Sequence, residues 1–242
     1  EDRTRTYTIA MERTVVPENF SFRMTDEEYR VLEKIKNSIP VCYLADHADF
    51  ALGIVTGNNK KFLSAEKTEN SEMVLKGTDI CKYHINPVKQ YLRFEPEQFQ
   101  QVAPLEIYRA PEKLLYRFIS NQLVVAYDDR QMLSLNSCNI VIPKIDGMQI
   151  KYILAILNSS VSQFVYQKEF HSIKVLRAHM EHIPIPRVGK AIQNEIIAIT
   201  EPLICGMGKE AAETCQKRLD CRIMDLFRLS AEEQWIIRHA LH

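Results

Sequence analysis

Gly57-Asn58-Asn59-Lys60-Lys61 is a short polar, basic run, and its amides, ammonium groups and backbone N–H groups suit contact with phosphates or with the edges of bases. A solvated hairpin loop would use the same residues. Lys113 and Arg117, with Tyr116 between them, would set phosphate-binding cations beside a strand, and Asp128-Asp129-Arg130 follow at the next turn. An Asp there could accept from a cytosine amino group and Arg130 could bind guanine through two hydrogen bonds, or these residues only cap and solvate the turn. Asn136 and Ser137 are short polar groups of the same kind, and ordinary loop chemistry is the alternative. In Lys76-Gly77-Thr78-Asp79-Ile80 the glycine and aspartate are expected to fix a turn.

The most basic local cluster is His171, Ser172, Lys174, Arg177, His179 and His182. Ser172 and Lys174 are its candidate phosphate contacts. On a helix the three histidines would fall near one face, which raises a metal site, but their order is not HExxH and surface histidines are expected instead, so no metal is assigned. Cys138 has no His and acid partners in sequence to make it a nucleophile. No GxGxxG turn occurs among the seven glycines. No catalytic residue is assigned.

These groups must be held by a fold, and the chain of 242 residues, 46% hydrophobic and 26% charged, is long enough for one large domain or a domain with a helical appendage. No stretch approaches the roughly 20 apolar residues of a membrane span, and Glu1 to Thr6 lacks the apolar core of a secretory signal. A cytoplasmic protein without a membrane partner is expected. The six cysteines, Cys42, Cys81, Cys138, Cys205, Cys215 and Cys221, form no CxxC pair and suggest neither a zinc site nor a disulfide framework. The 31 basic residues balance 31 acidic ones, an unusual ledger for a nucleic-acid binder, although residues 111–187 carry nine Lys or Arg against six Asp or Glu.

Thr25-Asp26-Glu27-Glu28 has capping-box spacing and opens a short amphipathic helix through Tyr29, Leu32 and Ile35 that stops at Pro40. From Val41 to about Pro143, short apolar runs (Phe50 to Val55, Leu123 to Tyr127, Ile140 to Ile142) alternate with turn residues and read as strands. Ile150 to Phe170 reads as one long helix with an apolar stripe through Ile153, Leu157, Val161 and Phe164. Ile183-Pro184-Ile185-Pro186 reads as a rigid extended strap whose prolines deny ladder hydrogen bonds. Two helical runs follow, separated by Gly206 and Gly208, and a second capping box at Ser230 to Glu233 opens a final helix. The fold class is α+β: a mixed or antiparallel sheet with long loops and packed helices, then a C-terminal helical tail. Residues 1–40 are assigned as a linker and short helix, 41–187 as the central domain, and 188–242 as the tail, a spacer or docking element.

Taken in order, Gly53 to Phe62, Leu75 to Ile80, Pro111 to Arg117, Leu123 to Asp128, Asn136 to Asn139, Tyr152 to Ser160 with its Leu157-Asn158-Ser159-Ser160, Lys174-Val175-Leu176 and Ile183 to Pro186 resemble the TaqI-like C-terminal specificity domain of adenine-specific DNA methyltransferases and fused restriction-modification enzymes. The resemblance covers about half the chain; Leu226 to Glu233 is also similar to the end of such methyltransferases. It implies sequence-specific binding of double-stranded DNA through Asn58, Asn59, Lys60, Lys61, Lys113, Arg117, Arg130, Asn136, Ser172 and Lys174. It also implies a methyltransferase catalytic domain of the same parent protein as partner. The Asn/Asp-Pro-Pro-aromatic motif that such an enzyme needs is absent, as is any Pro-Pro dipeptide. The fragment is therefore expected to be non-catalytic and to carry no cofactor, with S-adenosylmethionine belonging to the missing domain. The alternatives are half of a type I restriction specificity subunit and a protein-interaction module that no longer binds DNA.

Overall fold

A computed structural model describes residues 24–170 and 172–241. The first helix, α1 (Asp26–Asn37), starts at the expected capping box: the Glu28 N–H donates to Thr25 Oγ1 at 3.1 Å and the Thr25 N–H to Glu28 Oε2 at 3.0 Å. After it come β1 (Val41–Cys42), β2 (Ala48–Ala51), the one-turn helix α2 (Asn59–Phe62), β3 (Leu63–Ser64), β4 (Ser71–Leu75), β5 (Tyr91–Arg93), the one-turn helix α3 (Leu105–Tyr108), β6 (Lys113–Arg117), β7 (Val125–Asp128), β8 (Leu133–Ser134) and β9 (Cys138–Pro143). The remaining elements are α4 (Ile150–Asn158), α5 (Ser160–Glu169), α6 (Arg177–Glu181), β10 (Ile185–Pro186), α7 (Lys190–Cys205), α8 (Lys209–Leu226) and α9 (Ala231–Ala240).

A central antiparallel sheet in the order β2-β9-β6-β7 separates two cores. Side chains alternate across a strand, so Leu114 and Tyr116 of β6 face one core while Leu115 faces the other. Because both faces are covered, the middles of the central strands are unbroken apolar runs, Leu114-Leu115-Tyr116, Val125-Ala126-Tyr127 and Ile140-Val141-Ile142. The first core joins the sheet to α1, α4, α5 and the three C-terminal helices through Ile35, Ile153, Phe164, Ile196, Ile223 and Ile237, all buried. The second core lies between the sheet and a smaller mixed sheet in the order β3-β5-β4-β8, where β4 and β8 run parallel and the other pairs antiparallel. Each fully buried Ile, Leu or Phe contributes about 1.5–3 kcal/mol.

Two local expectations are corrected. The apolar stripe of Ile150 to Phe170 runs through two helices, because Ser159 takes an extended backbone (ψ 158°) and caps α5 by accepting the Ser162 N–H at 3.2 Å. Asn158, immediately before it, seals the outer edge of β7: Oδ1 accepts from the Val125 N–H at 3.1 Å and Nδ2 donates to the Val125 carbonyl at 2.8 Å. Leu157-Asn158-Ser159-Ser160 therefore ends one helix, starts another and closes a sheet edge. The proline strap is likewise paired. Its Ile185 and Pro186 form β10 opposite Cys42 and Val41, and the Arg187 N–H donates to the Pro40 carbonyl. Proline blocks only its own N–H, which leaves the remaining ladder groups free to bond.

Candidate nucleic-acid interface

The Gly57 to Lys61 turn is built by its own polar groups. Gly57 supplies a positive φ of 72°, Asn58 caps α2 by accepting the Lys61 N–H at 3.2 Å, and Asn59 Oδ1 accepts from Thr56 Oγ1 at 2.6 Å. Lys61 reaches Gln98 Oε1 at 2.6 Å and lies over the Phe62 ring. Asn58 and Lys61 thus hold the turn. Asn59 and Lys60, both exposed, are carried to the rim of a groove.

That groove, about 410 Å³, is lined by Asn59, Lys60, Leu63, Lys76, Gln90, Leu135, Asn136 and Ser137. It joins four segments distant in sequence. Its lining holds two lysines and no carboxylate, so the lining side chains carry formal positive charge although the chain as a whole is neutral. The floor is fixed by backbone bonds: the Asn136 N–H donates to the Ile54 carbonyl at 3.1 Å and the Leu135 N–H to the Leu75 carbonyl at 2.7 Å. The exposed Asn136 side chain stands at this position, with an amide able to donate and accept.

Lys76 is positioned by the turn that follows it. Asp79 Oδ2 accepts the Lys76 N–H at 2.9 Å, and Arg117 clamps the turn from below by donating through Nε to the Gly77 carbonyl at 2.8 Å and through Nη2 to the Ile80 carbonyl at 2.6 Å. The Gly77 N–H donates to Ser137 Oγ at 3.0 Å. A Cβ at Gly77 would lie 2.5 Å from the Ser137 carbonyl oxygen, so only glycine lets the two walls of the groove meet. Arg117 is half-buried, and its Nε and Nη2 are spent on the turn that carries Lys76.

Lys113 is corrected. It is fully buried, and its Nζ donates to Asp128 Oδ2 at 2.5 Å and to the Tyr108 carbonyl at 2.6 Å. Burial lowers its pKa and the Asp128 carboxylate opposes that shift. Withdrawn from solvent, this ammonium cannot reach a phosphate. Asp128 also accepts the Arg130 N–H at 2.9 Å and the Met132 N–H at 2.9 Å, which organises the β7–β8 turn. The exposed Arg130 side chain sits on that turn, outside the residues lining the groove.

Ser172 Oγ accepts the Lys174 N–H at 3.0 Å, and Lys174 lies opposite Ile119 in an antiparallel bridge, its Nζ over the Phe118 ring. The Phe118 N–H donates to the Ser137 carbonyl at 3.0 Å, so the Ser172–Lys174 segment is tied to the groove wall through one residue. His171 lies outside the described residues. His179 is nearly buried, stacks on Phe170 with ring centroids 4.4 Å apart, and accepts the Leu176 N–H through Nδ1 at 3.2 Å. Burial lowers its pKa, and the neighbouring His182 adds to the effect. Cys138 is buried and its thiol pKa is pushed well up, first by burial, so it is no nucleophile.

In sequence Lys76 reads only as part of a turn, and Gln90 does not stand out. Lys76 carried a usable signal, a cation immediately before a tight Gly-Thr-Asp turn. Gln90 carried none, because it reaches the groove by preceding β5, whose pairing with β3 and β4 is non-local.

Residues 72–185 match the family described as the TaqI-like C-terminal specificity domain. Among solved structures, the type IIL restriction-modification enzyme MmeI in complex with DNA is similar with a TM-score of 0.57 and 10% identity, over 83% of this chain and 35% of that one. The HsdS subunit from Thermoanaerobacter tengcongensis gives a TM-score of 0.44 and 15% identity, over 89% of this chain and 50% of that one. The type IIG restriction endonuclease BpuSI gives 0.47 and 11%, over 84% and 33%. The chain thus spans half of the HsdS subunit and about a third of the two type II enzymes. No curated protein matches the chain.

Proposed function

We propose, from the match of residues 72–185 to the TaqI-like C-terminal specificity domain, that this chain reads a short site in double-stranded DNA for a larger restriction-modification protein. The observation that carries the reading is the groove itself, where Asn59, Lys60, Lys76, Gln90 and Asn136 converge without a carboxylate among the lining residues. Lysines hold phosphates and set the register of the protein on the duplex, while Asn and Gln amides suit bidentate hydrogen bonding to adenine in the major groove. Arg130 on its turn and Lys174, tied to the groove wall through Phe118, are further proposed contacts.

Catalysis belongs to the rest of the parent protein, proposed to be an adenine-specific methyltransferase with or without an endonuclease. S-adenosylmethionine would bind there, and the setting would be the cytoplasm. The three C-terminal helices share the first core with the sheet, which makes them a rigid base from which that partner could be held. Selection of bound molecules from a random duplex pool, followed by sequencing, tests the reading. Enrichment of one short motif supports it; recovery of unenriched sequence at every salt concentration rejects it.

A further inference from the structure

A cavity of about 450 Å³ lies where the helical tail meets the chain just after the Lys76 turn. One wall is the turn at residues 81–84, closed by the Cys81 N–H donating to the His84 carbonyl at 3.0 Å and by a bridge between Ile80 and Ile85. The other wall is the end of α7 and the start of α8, with Leu203, Met207 and Ala212. The lining is mostly apolar, and the volume is that of a small-molecule site.

Tyr83 fixes the first wall. Its φ of 75° is a left-handed backbone that a tyrosine adopts only where its surroundings impose it. Here the Tyr83 N–H donates to the Val125 carbonyl at 2.7 Å, and the Tyr83 carbonyl accepts the Tyr127 N–H at 3.0 Å. The buried side chain crosses to α8, where its hydroxyl donates to Gln216 Oε1 at 2.6 Å. The two walls are thus bonded to each other, and the cavity is pre-formed.

Its polar groups are unbalanced. Lys82, Lys209 and Lys217 line it with Glu213 as the one acidic residue, and none of the three lysines forms an ion pair among the described residues. Lys209 and Lys217 are exposed, whereas Lys82 is half-buried. An ammonium has three donors to place, and Lys82 Nζ makes one hydrogen bond among the described residues, to the Asn158 carbonyl at 3.2 Å. Burial lowers its pKa and Asp220 opposes the shift, although Asp220 Oδ1 is itself engaged by the Ser160 N–H at 2.7 Å. Gln216 Nε2 is buried with no partner among the described residues. An apolar occupant without charge would desolvate Lys82 further and give it no counter-charge, and a cation would oppose three lysines. An occupant with hydrocarbon at one end and an anionic acceptor at the other meets both walls.

We infer that this cavity binds a small amphiphilic carboxylate, a fatty-acid-like molecule whose chain lies along Leu203, Met207 and Ala212 and whose head group pairs with Lys82. No residue lines both this cavity and the DNA groove, so the site stands or falls independently of DNA reading.

The test is a titration of the whole chain with dansylaminoundecanoic acid and with its methyl ester, followed by dansyl emission. The acid is expected to saturate with enhanced, blue-shifted emission and to bind about ten-fold more tightly than the ester, the contribution of one hydrogen bond to a charged group. Lys82→Met should bring the acid to the affinity of the ester, and Ala212→Phe, which fills the cavity, should abolish saturable binding of both, with thermal midpoints confirming that each variant is folded. Should either variant fail to fold, the acid–ester comparison on the wild type decides. No saturable binding of the acid, equal affinities for acid and ester, or unchanged binding by a folded variant overturns the site.

Discussion

Lys113 Nζ lies 2.5 Å from Asp128 Oδ2, with both side chains completely withdrawn from solvent. The two residues face each other in register at the end of the β6–β7 pair. A buried pair of this kind is a weak net stabiliser, yet removing one member leaves the other charge buried without its partner. Lys113→Met is predicted to destabilise the fold by about 3–5 kcal/mol, measured by urea unfolding. Its effect on DNA should appear only through the loss of folded protein. A variant of unchanged stability with specifically weakened binding would return Lys113 to the interface.

Lys60 and Lys76 should behave in the opposite way. Both are exposed at the groove, so Lys60→Ala and Lys76→Ala are predicted to leave the thermal midpoint nearly unchanged. Each should reduce the slope of log affinity against log salt by about one unit. Fluorescence anisotropy at several salt concentrations measures that slope, and wild-type slopes in both variants would remove the groove from the contact surface.

Gly77 tests how the groove is assembled. A methyl group there would meet the Ser137 carbonyl oxygen at 2.5 Å, a backbone atom that cannot swing aside. Gly77→Ala is predicted to cost about 1–3 kcal/mol through overpacking and to weaken DNA binding as the walls separate. Thermal unfolding and anisotropy measured on the same sample check both parts. Gly147→Ala is the contrasting case for steric clash, since no atom lies within 4 Å of its added Cβ, although its φ of 73° retains a backbone cost.

His179 sets a dependence on acid. Its folded pKa lies below the ordinary 6.5, chiefly through burial, so below pH 6.5 the unfolded chain takes up a proton that the folded chain resists. The unfolded state then binds more protons, and the contribution of neutral His179 is lost as pH falls from 6.5 toward the folded value. The thermal midpoint is expected to drop on acidification through this window, and His179→Phe is expected to flatten the drop. An unchanged pH profile in that variant would place the acid sensitivity elsewhere.

The elements that sequence exposes here are those set by local chemistry. The capping boxes at Thr25 and Ser230 form as their spacing implies, because all their hydrogen bonds close within three residues. Asn59, Lys60 and Asn136 were found as polar turn residues, and they do reach the groove. Lys113 was misassigned because its partner lies 15 residues away, across a strand pair whose register sequence does not specify. The hold of Arg117 on the Gly77–Ile80 turn is hidden from sequence for the same reason, as its carbonyl acceptors lie 37 and 40 residues earlier. The break at Ser159 was hidden by an apolar stripe that continues through both helices, and only the side-chain bonds of Asn158 and Ser159 reveal its use.

The most direct measurement of DNA recognition through this groove is affinity for a selected duplex from about 50 to 200 mM salt. Recognition through Lys60, Lys76 and Lys174 predicts binding at low salt that weakens linearly on a log–log plot, with a slope of about one per phosphate held. Binding indifferent to salt, or no binding at the lowest salt, would contradict it.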